Sequence, residues 1–273
     1  MVFEYFLEPE KAEQDPRQAF LLAAMLSTIA ILLSIILFPQ YASFTTLFFV
    51  ALGSSQFIHK IFLDEAVGAE KAKSVKEMLK RDLPVTKIYF YFFLGMVATF
   101  LFWIVVLKDY GFFLFRAQEE FLGIPIAGGN VGGGSFAFLV ILLNNILVLT
   151  VFFFISIVFT AGSLLVLGWN ASLFAMFIVL AAKRVSEYGL LSAITKIALI
   201  YSVHSIPEFI SYFLAANAGA VLSMGIVKRG KIDAALQNII NDSFVLMFLS
   251  YAIVLIAAFL EAFVSPHLIA SLF

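Results

Sequence analysis

His204 and Glu208 stand four residues apart in "YSVHSIPEFI", within an apolar run that extends from about Leu190 to Val227. On a helix this spacing puts an imidazole and a carboxylate on one face, within reach of each other. Pro207 lies between them. It removes a backbone donor, so the spacing predicts a kink or a fresh helix start that breaks the long helix, with Glu208 in a first turn where the helix dipole favours a carboxylate. Ionisable groups at such depth either latch helices together or meet a substrate or a proton. The first reading is a latch that ties the broken helix to its neighbours, and the second is an intramembrane polar site. Asn144 and Asn145 in "LLNNILVL", together with Asn170, are amides at comparable depth. Amides there need partners, and inter-helix hydrogen bonding is their first reading. Asn217 and Gln237 are candidates for the same network. Glu261, near the end of the final apolar run in "FLEAFVSPHLI", is expected to snorkel to the outer interface; the alternative is that it points inward toward His204 and Glu208.

Other chemistries find less support. Two further ligands beside His204 and Glu208 are not evident, so no metal site and no cofactor are expected. A zinc protease would carry His-Glu-x-x-His, which is absent. His204 with Ser202 or Ser205 is a pair of helix neighbours without attack geometry, so the chain reads as a non-enzyme. "GGNVGGG" lacks the Lys-Ser/Thr of a phosphate loop and reads as a linker. There are no cysteines, which excludes disulfides and thiol chemistry. Net charge is −1, which offers no electrostatic case for nucleic acid. Glu187, Lys196 and His267 read as helix-end residues. The glycosylation patterns at Asn170 and Asn241 are discounted.

The elements that must position these residues are set by composition. The chain has 273 residues, 63% of them hydrophobic and 13% charged, with a mean hydropathy of +1.05. A soluble domain cannot hide that much apolar surface. Runs such as "LLAAMLSTIAILLSIILF" do not alternate, so the fold class is all-α: a polytopic transmembrane helical bundle, with lipid bilayer as its first partner. The acidic N-terminus precedes a full-length apolar span and is read as retained. Spans are expected at about 20–38, 43–62, 88–107, 136–159 and 242–263. Between them, residues 160–182 read as a broken or re-entrant element around Gly168 and Asn170, and 190–227 as one bent crossing or a hairpin. The total is six to seven crossings. The charged stretch 59–87 reads as a helix along the membrane surface. Residues 1–135 form an N-terminal set of spans with that segment and a glycine-rich loop, and 136–273 a C-terminal membrane core, together one continuous bundle. Lys/Arg enrichment in 59–87 and in "KRGK" (228–231) predicts a multi-pass cell-membrane protein with a cytoplasmic N-terminus. Ala215, Gly219 and Ser223 form a small-residue face for close helix packing.

The order of motifs in the second half resembles the stage II sporulation protein M family of integral membrane proteins. It comprises paired Asn in "NNILV", then "LGWN", then "HSIPEFISYFLAANAGAVLSMG", then "EAFVSP", over about 136–266. Family members typically carry His-Gly-x-x-Glu; here His204 and Glu208 are kept and Ser205 holds the Gly position. Glu261, Ala262, Phe263 and Pro266 match the family's terminal segment. In spore-forming bacteria the namesake is a scaffold that recruits peptidoglycan-degrading proteins. The resemblance thus implies a non-catalytic scaffold or assembly partner in the cell envelope, as a homo-oligomer or with other membrane proteins. Such a protein would keep His204 and Glu208 bonded to each other and shielded, and would oligomerise through small-residue faces. The alternative is a transporter or channel component, with a water-filled cavity ending at Glu208 and Asn144, Asn145 and Asn170 on its walls.

Overall fold

In the computed structural model, residues 12, 14–69, 75–123, 134–159, 162–185, 189–229 and 233–270 are described. Among them there is no strand. The chain folds as α1 (Arg17–Leu37), a single 3-10 turn (Pro39–Tyr41), α2 (Ala42–Ala69), α3 (Val75–Leu107), α4 (Asp109–Leu114), α5 (Arg116–Leu122), α6 (Ser135–Val158), α7 (Gly162–Arg184), α8 (Leu190–Arg229), α9 (Ala234–Phe259), a wider π turn (Leu260–Val264) and α10 (Ser265–Ala270). Among the described residues, seven helices are long and apolar enough to cross a membrane. The chain is therefore an all-α membrane protein whose surface meets lipid.

Three elements differ from the sequence reading. Residues 162–184 form one uninterrupted helix, neither broken nor re-entrant, since Gly168 sits against the Leu47 side chain of α2 and packs rather than bends. Helix α8 is helical over all 40 residues, through Pro207. Pro207 thus does not end the helix, since a membrane helix tolerates the one lost hydrogen bond. At 1.5 Å per residue α8 is ~60 Å long, about twice the hydrocarbon core, so it tilts or projects. The 59–87 stretch is no separate surface helix. α2 runs on to Ala69, and α3 starts at Val75 and continues through Pro84, so both are spanning helices with polar extensions.

Those extensions are held by ions. Arg81 on α3 donates from Nε to Glu65 Oε1 of α2 at 2.5 Å, from Nη2 to Asp82 Oδ1 at 2.8 Å, and from Nη2 to Asp242 Oδ2 of α9. Asp82 and Asp242 are fully buried. A fork of fixed donors can serve three carboxylates on three helices, which a point charge cannot.

Helix α8 is the centre of the bundle. Of its most apolar stretch 72% is buried, against 17% for α6, which shows Phe136, Leu139, Leu143 and Leu147 outward. Lipid tails are as apolar as leucine, so helices here associate through close packing and polar contacts. Gly219 of α8 lies so near α6 that a Cβ would stand 2.3 Å from the Phe153 carbonyl oxygen. Ser223 donates to the Ile157 carbonyl of α6 at 2.7 Å, and Ala215 is fully buried. The small-residue face is consumed inside the chain and is not free for a second copy. Gly95 of α3 meets the Phe20 carbonyl of α1 in the same way. One hydrophobic cluster joins residues from both halves of the chain.

At the end of the bundle where α3 finishes, α4 and α5 fold back onto it. Ser43 of α2 donates to the Leu114 carbonyl at 2.8 Å, and Gln118 of α5 donates to Ser172 of α7 at 3.0 Å. Lys183, at the end of α7, lies 3.8 Å from the centre of the Phe112 ring. That cation–π contact accommodates a basic residue on this side of the bundle.

Candidate functional site

Between α5, α6, α7, α8 and the chain's C-terminal turns lies a cavity of about 670 Å³. Leu122, Ala137 and Ala270, at element ends, line its mouth side. Asn144, Asn145, Asn170, His204, Glu208 and Glu261 also line it. Asn145 is ten residues into α6, ~15 Å from its start, which is about half the hydrocarbon thickness. The cavity therefore reaches from one end of the bundle toward its middle. Asn144 is exposed and donates to Asn145 Oδ1 at 3.3 Å. Asn145 is buried, and its Nδ2 has no hydrogen-bond partner. Asn170 donates to the Val166 carbonyl one turn back at 2.8 Å. Asn217 is buried elsewhere with neither side-chain atom bonded, and Gln237 donates to Asn241 Oδ1 at 3.3 Å.

His204 and Glu208 share a face of α8 but are not bonded to each other. His204 Nδ1 lies 2.7 Å from Ser265 Oγ, and Glu208 Oε1 accepts from the Tyr212 hydroxyl at 2.9 Å. Ser265 Oγ also donates to the Leu260 carbonyl at 3.2 Å. A hydroxyl has one proton to give. Ser265 either gives that proton to the Leu260 carbonyl and accepts from His204 Nδ1–H, or gives it to Nδ1; the first arrangement leaves the ring's free lone pair on Nε2. Tyr201 packs edge-on to the His204 ring at 5.5 Å, and Phe152 stacks on Tyr212 at 5.3 Å, so both side chains are braced.

Glu261 corrects the expectation of snorkelling. It points inward, and one ligand atom from each of His204, Glu208 and Glu261 lies within 4.8 Å of the others. It stands at the second position of the π turn Leu260–Val264. Sequence reasoning missed Ser265, Tyr212 and Tyr201. Tyr212 carried a readable signal, because it sits one helical turn beyond Glu208. Ser265 carried none, since nothing in the sequence joins it to a histidine 61 residues earlier. His267 is exposed. Glu187, the start of the N-terminal segment, most of the glycine-rich linker and part of "KRGK" lie outside the described residues.

No curated protein and no solved structure matches the chain. The family model described as Stage II sporulation protein M matches residues 88–266. That match begins within α3, ahead of the 136–266 over which the motifs are recognisable by eye, and contains His204, Glu208, Glu261 and the three cavity asparagines. It covers more than half of the chain, which accordingly belongs to the stage II sporulation protein M family.

Proposed function

We propose that the chain is a transporter or channel component that receives a small polar or charged solute in the cavity between α6, α7 and α8. The observation that carries this reading is the cavity itself. It extends to about mid-membrane depth and brings His204, Glu208 and Glu261 together with Asn144, Asn145 and Asn170. Burying such groups costs free energy that a membrane protein recovers only by pairing them or by using them on a solute. A scaffold would need the His204–Glu208 pair closed on itself, whereas its bonds go to Ser265 and Tyr212 and leave the site side open. It would also need a free small-residue face, and that face is spent on α6. In this reading the role is non-catalytic, and the solute leaves as it came.

In this reading the N-terminus is cytoplasmic, in a cell membrane. Seven crossings then put the cavity mouth on the outer side, with the Arg81 cluster on the inner side.

The test is charge movement by the full chain in proteoliposomes on a solid-supported membrane, under gradients of H⁺, Na⁺ and Mn²⁺ in turn. The expected result is a transient current under at least one gradient, reduced at least about tenfold by Glu208→Gln combined with Glu261→Gln. Currents absent under all three gradients would return the scaffold to first place.

A further inference from the structure

We propose that His204, Glu208 and Glu261 form a binding site for one divalent transition-metal cation of the Zn²⁺ and Mn²⁺ class. The proposal deepens the transport reading and rests on it only in taking the cavity to be reached from water.

Four observations carry it. The first is geometry. Metal–ligand lengths of about 2.0–2.3 Å place neighbouring ligand atoms roughly 3–4.5 Å apart. The three side chains offer atoms within 4.8 Å of one another, so a single ion reaches all three after small torsional adjustments. The second is charge. Two carboxylates face the cavity, and no Lys or Arg is among the residues lining it. In a low-dielectric setting two negative charges call for a compensating cation, and a divalent ion beside a neutral imidazole balances them.

The third is the outer shell. A metal-binding histidine usually gives its second ring N–H to an acceptor that fixes its tautomer and orientation. Here Ser265 Oγ, 2.7 Å from His204 Nδ1, fixes the ring, and with its proton on the Leu260 carbonyl it accepts from Nδ1–H and frees the Nε2 lone pair. Tyr212 braces Glu208 through its hydroxyl. The fourth is Asn145. The residue is only 4% exposed, lines the same cavity, and has an Nδ2 without a partner. A donor in that state suits water or another anionic ligand held on the ion.

The mixed set also selects the class. Imidazole favours Zn²⁺, Fe²⁺ and related ions, while Mg²⁺ and Ca²⁺ prefer all-oxygen cages. The remaining coordination positions face the cavity, as a site that loads and releases its ion requires.

The test is calorimetric titration of the detergent-solubilised full chain with Zn²⁺, Mn²⁺ and Mg²⁺. The expected result is one Zn²⁺ per chain, weaker Mn²⁺ and no Mg²⁺. Zn²⁺ binding falls at least about tenfold in each of His204→Ala, Glu208→Gln and Glu261→Gln, less in Ser265→Ala, and not at all in His267→Ala. A second measurement does not require the ligand variants to fold. In Asn144→Cys carrying a nitroxide, bound Mn²⁺ should accelerate spin relaxation, and excess Zn²⁺ should reverse it. Absence of Zn²⁺ and Mn²⁺ binding, or Zn²⁺ binding removed by His267→Ala and retained by Glu208→Gln with Glu261→Gln, overturns the site. A chain that passes current but binds neither ion loses the ion site and keeps the transport reading. A chain that binds Zn²⁺ but passes no current does the reverse.

Discussion

Replacing Gly219 with Val should leave little or no folded protein. The position has no room: a Cβ built on Gly219 lies 2.3 Å from the Phe153 carbonyl oxygen and 2.9 Å from Ser156 Cβ. The obstacle is backbone, which cannot rotate aside as a side chain does. Helices α6 and α8 would have to part, and with them the Ser223–Ile157 hydrogen bond. Small-to-large changes in packed cores cost about 1–3 kcal/mol where side chains can adjust, and more where they cannot. In a membrane no hydrophobic drive pushes the parted helices back together. The check is the monodisperse fraction and the melting temperature of the detergent-purified variant. Gly168→Ala is the comparison, since its Cβ would meet the Leu47 side chain at 3.2 Å, which can yield. It should shift the melting temperature by only a few degrees. A Gly219→Val variant as stable as the parent would mean that α6 and α8 do not approach as described.

Replacing Arg81 with Ala should be nearly as damaging. Glu65, Asp82 and Asp242 would lose their shared counter-ion while still buried against α2, α3 and α9. Removing one partner of a buried ionic cluster typically costs about 3–5 kcal/mol, because the remaining charges keep their desolvation cost. Arg81→Lys should recover only part of this, since an ammonium cannot span three carboxylates as a fork does. The exposed Arg116–Glu120 pair at 2.7 Å is the internal control. Arg116→Ala should change stability by about 0.5 kcal/mol or less. Melting temperatures of the three variants, measured side by side, decide the matter. Equal losses for Arg81→Ala and Arg116→Ala would show that the cluster is not the clamp described.

Much of the architecture is readable in the sequence, for a physical reason. A helix must carry ~20 apolar residues to cross the hydrocarbon, and lengths of that order announce themselves. The spans of α1, α3, α6 and α9 follow directly. Elements with polar or small residues in the middle mislead. Gly168 and Asn170 suggest a break in α7, and Pro207 suggests one in α8, yet packing keeps both helical. Local propensity is a weak prior once tertiary contacts surround a residue.

The site divides in the same way. His204 and Glu208 stand out because ionisable groups are rare at that depth, and their helical spacing puts them on one face. Glu261 is 53 positions beyond Glu208, and nothing in composition or spacing ties it to the pair. Without it the set holds two ligands and reads as a latch. With it the set holds three, faces a cavity, and reads as a place for an ion. The Arg81 cluster was missed because charge in the 59–87 stretch is ordinary for a loop, and its third helix enters through Asp242, far along the chain.

Whether water reaches Glu208 tests the account most directly. The chain has no cysteine, so Glu208→Cys places a single thiol at the inner part of the cavity. In intact membranes a small, charged, membrane-impermeant thiol reagent is added from each side in turn, with Leu149→Cys, a fully buried position of α6 outside the cavity, as the dry reference. The account predicts rapid labelling at 208 from one side, the outer one, slowed when Asn144 is replaced by Trp to fill the cavity, with no labelling at 149. Failure to label position 208 from either side in a well-expressed variant would contradict a wet cavity, and the transport reading with it.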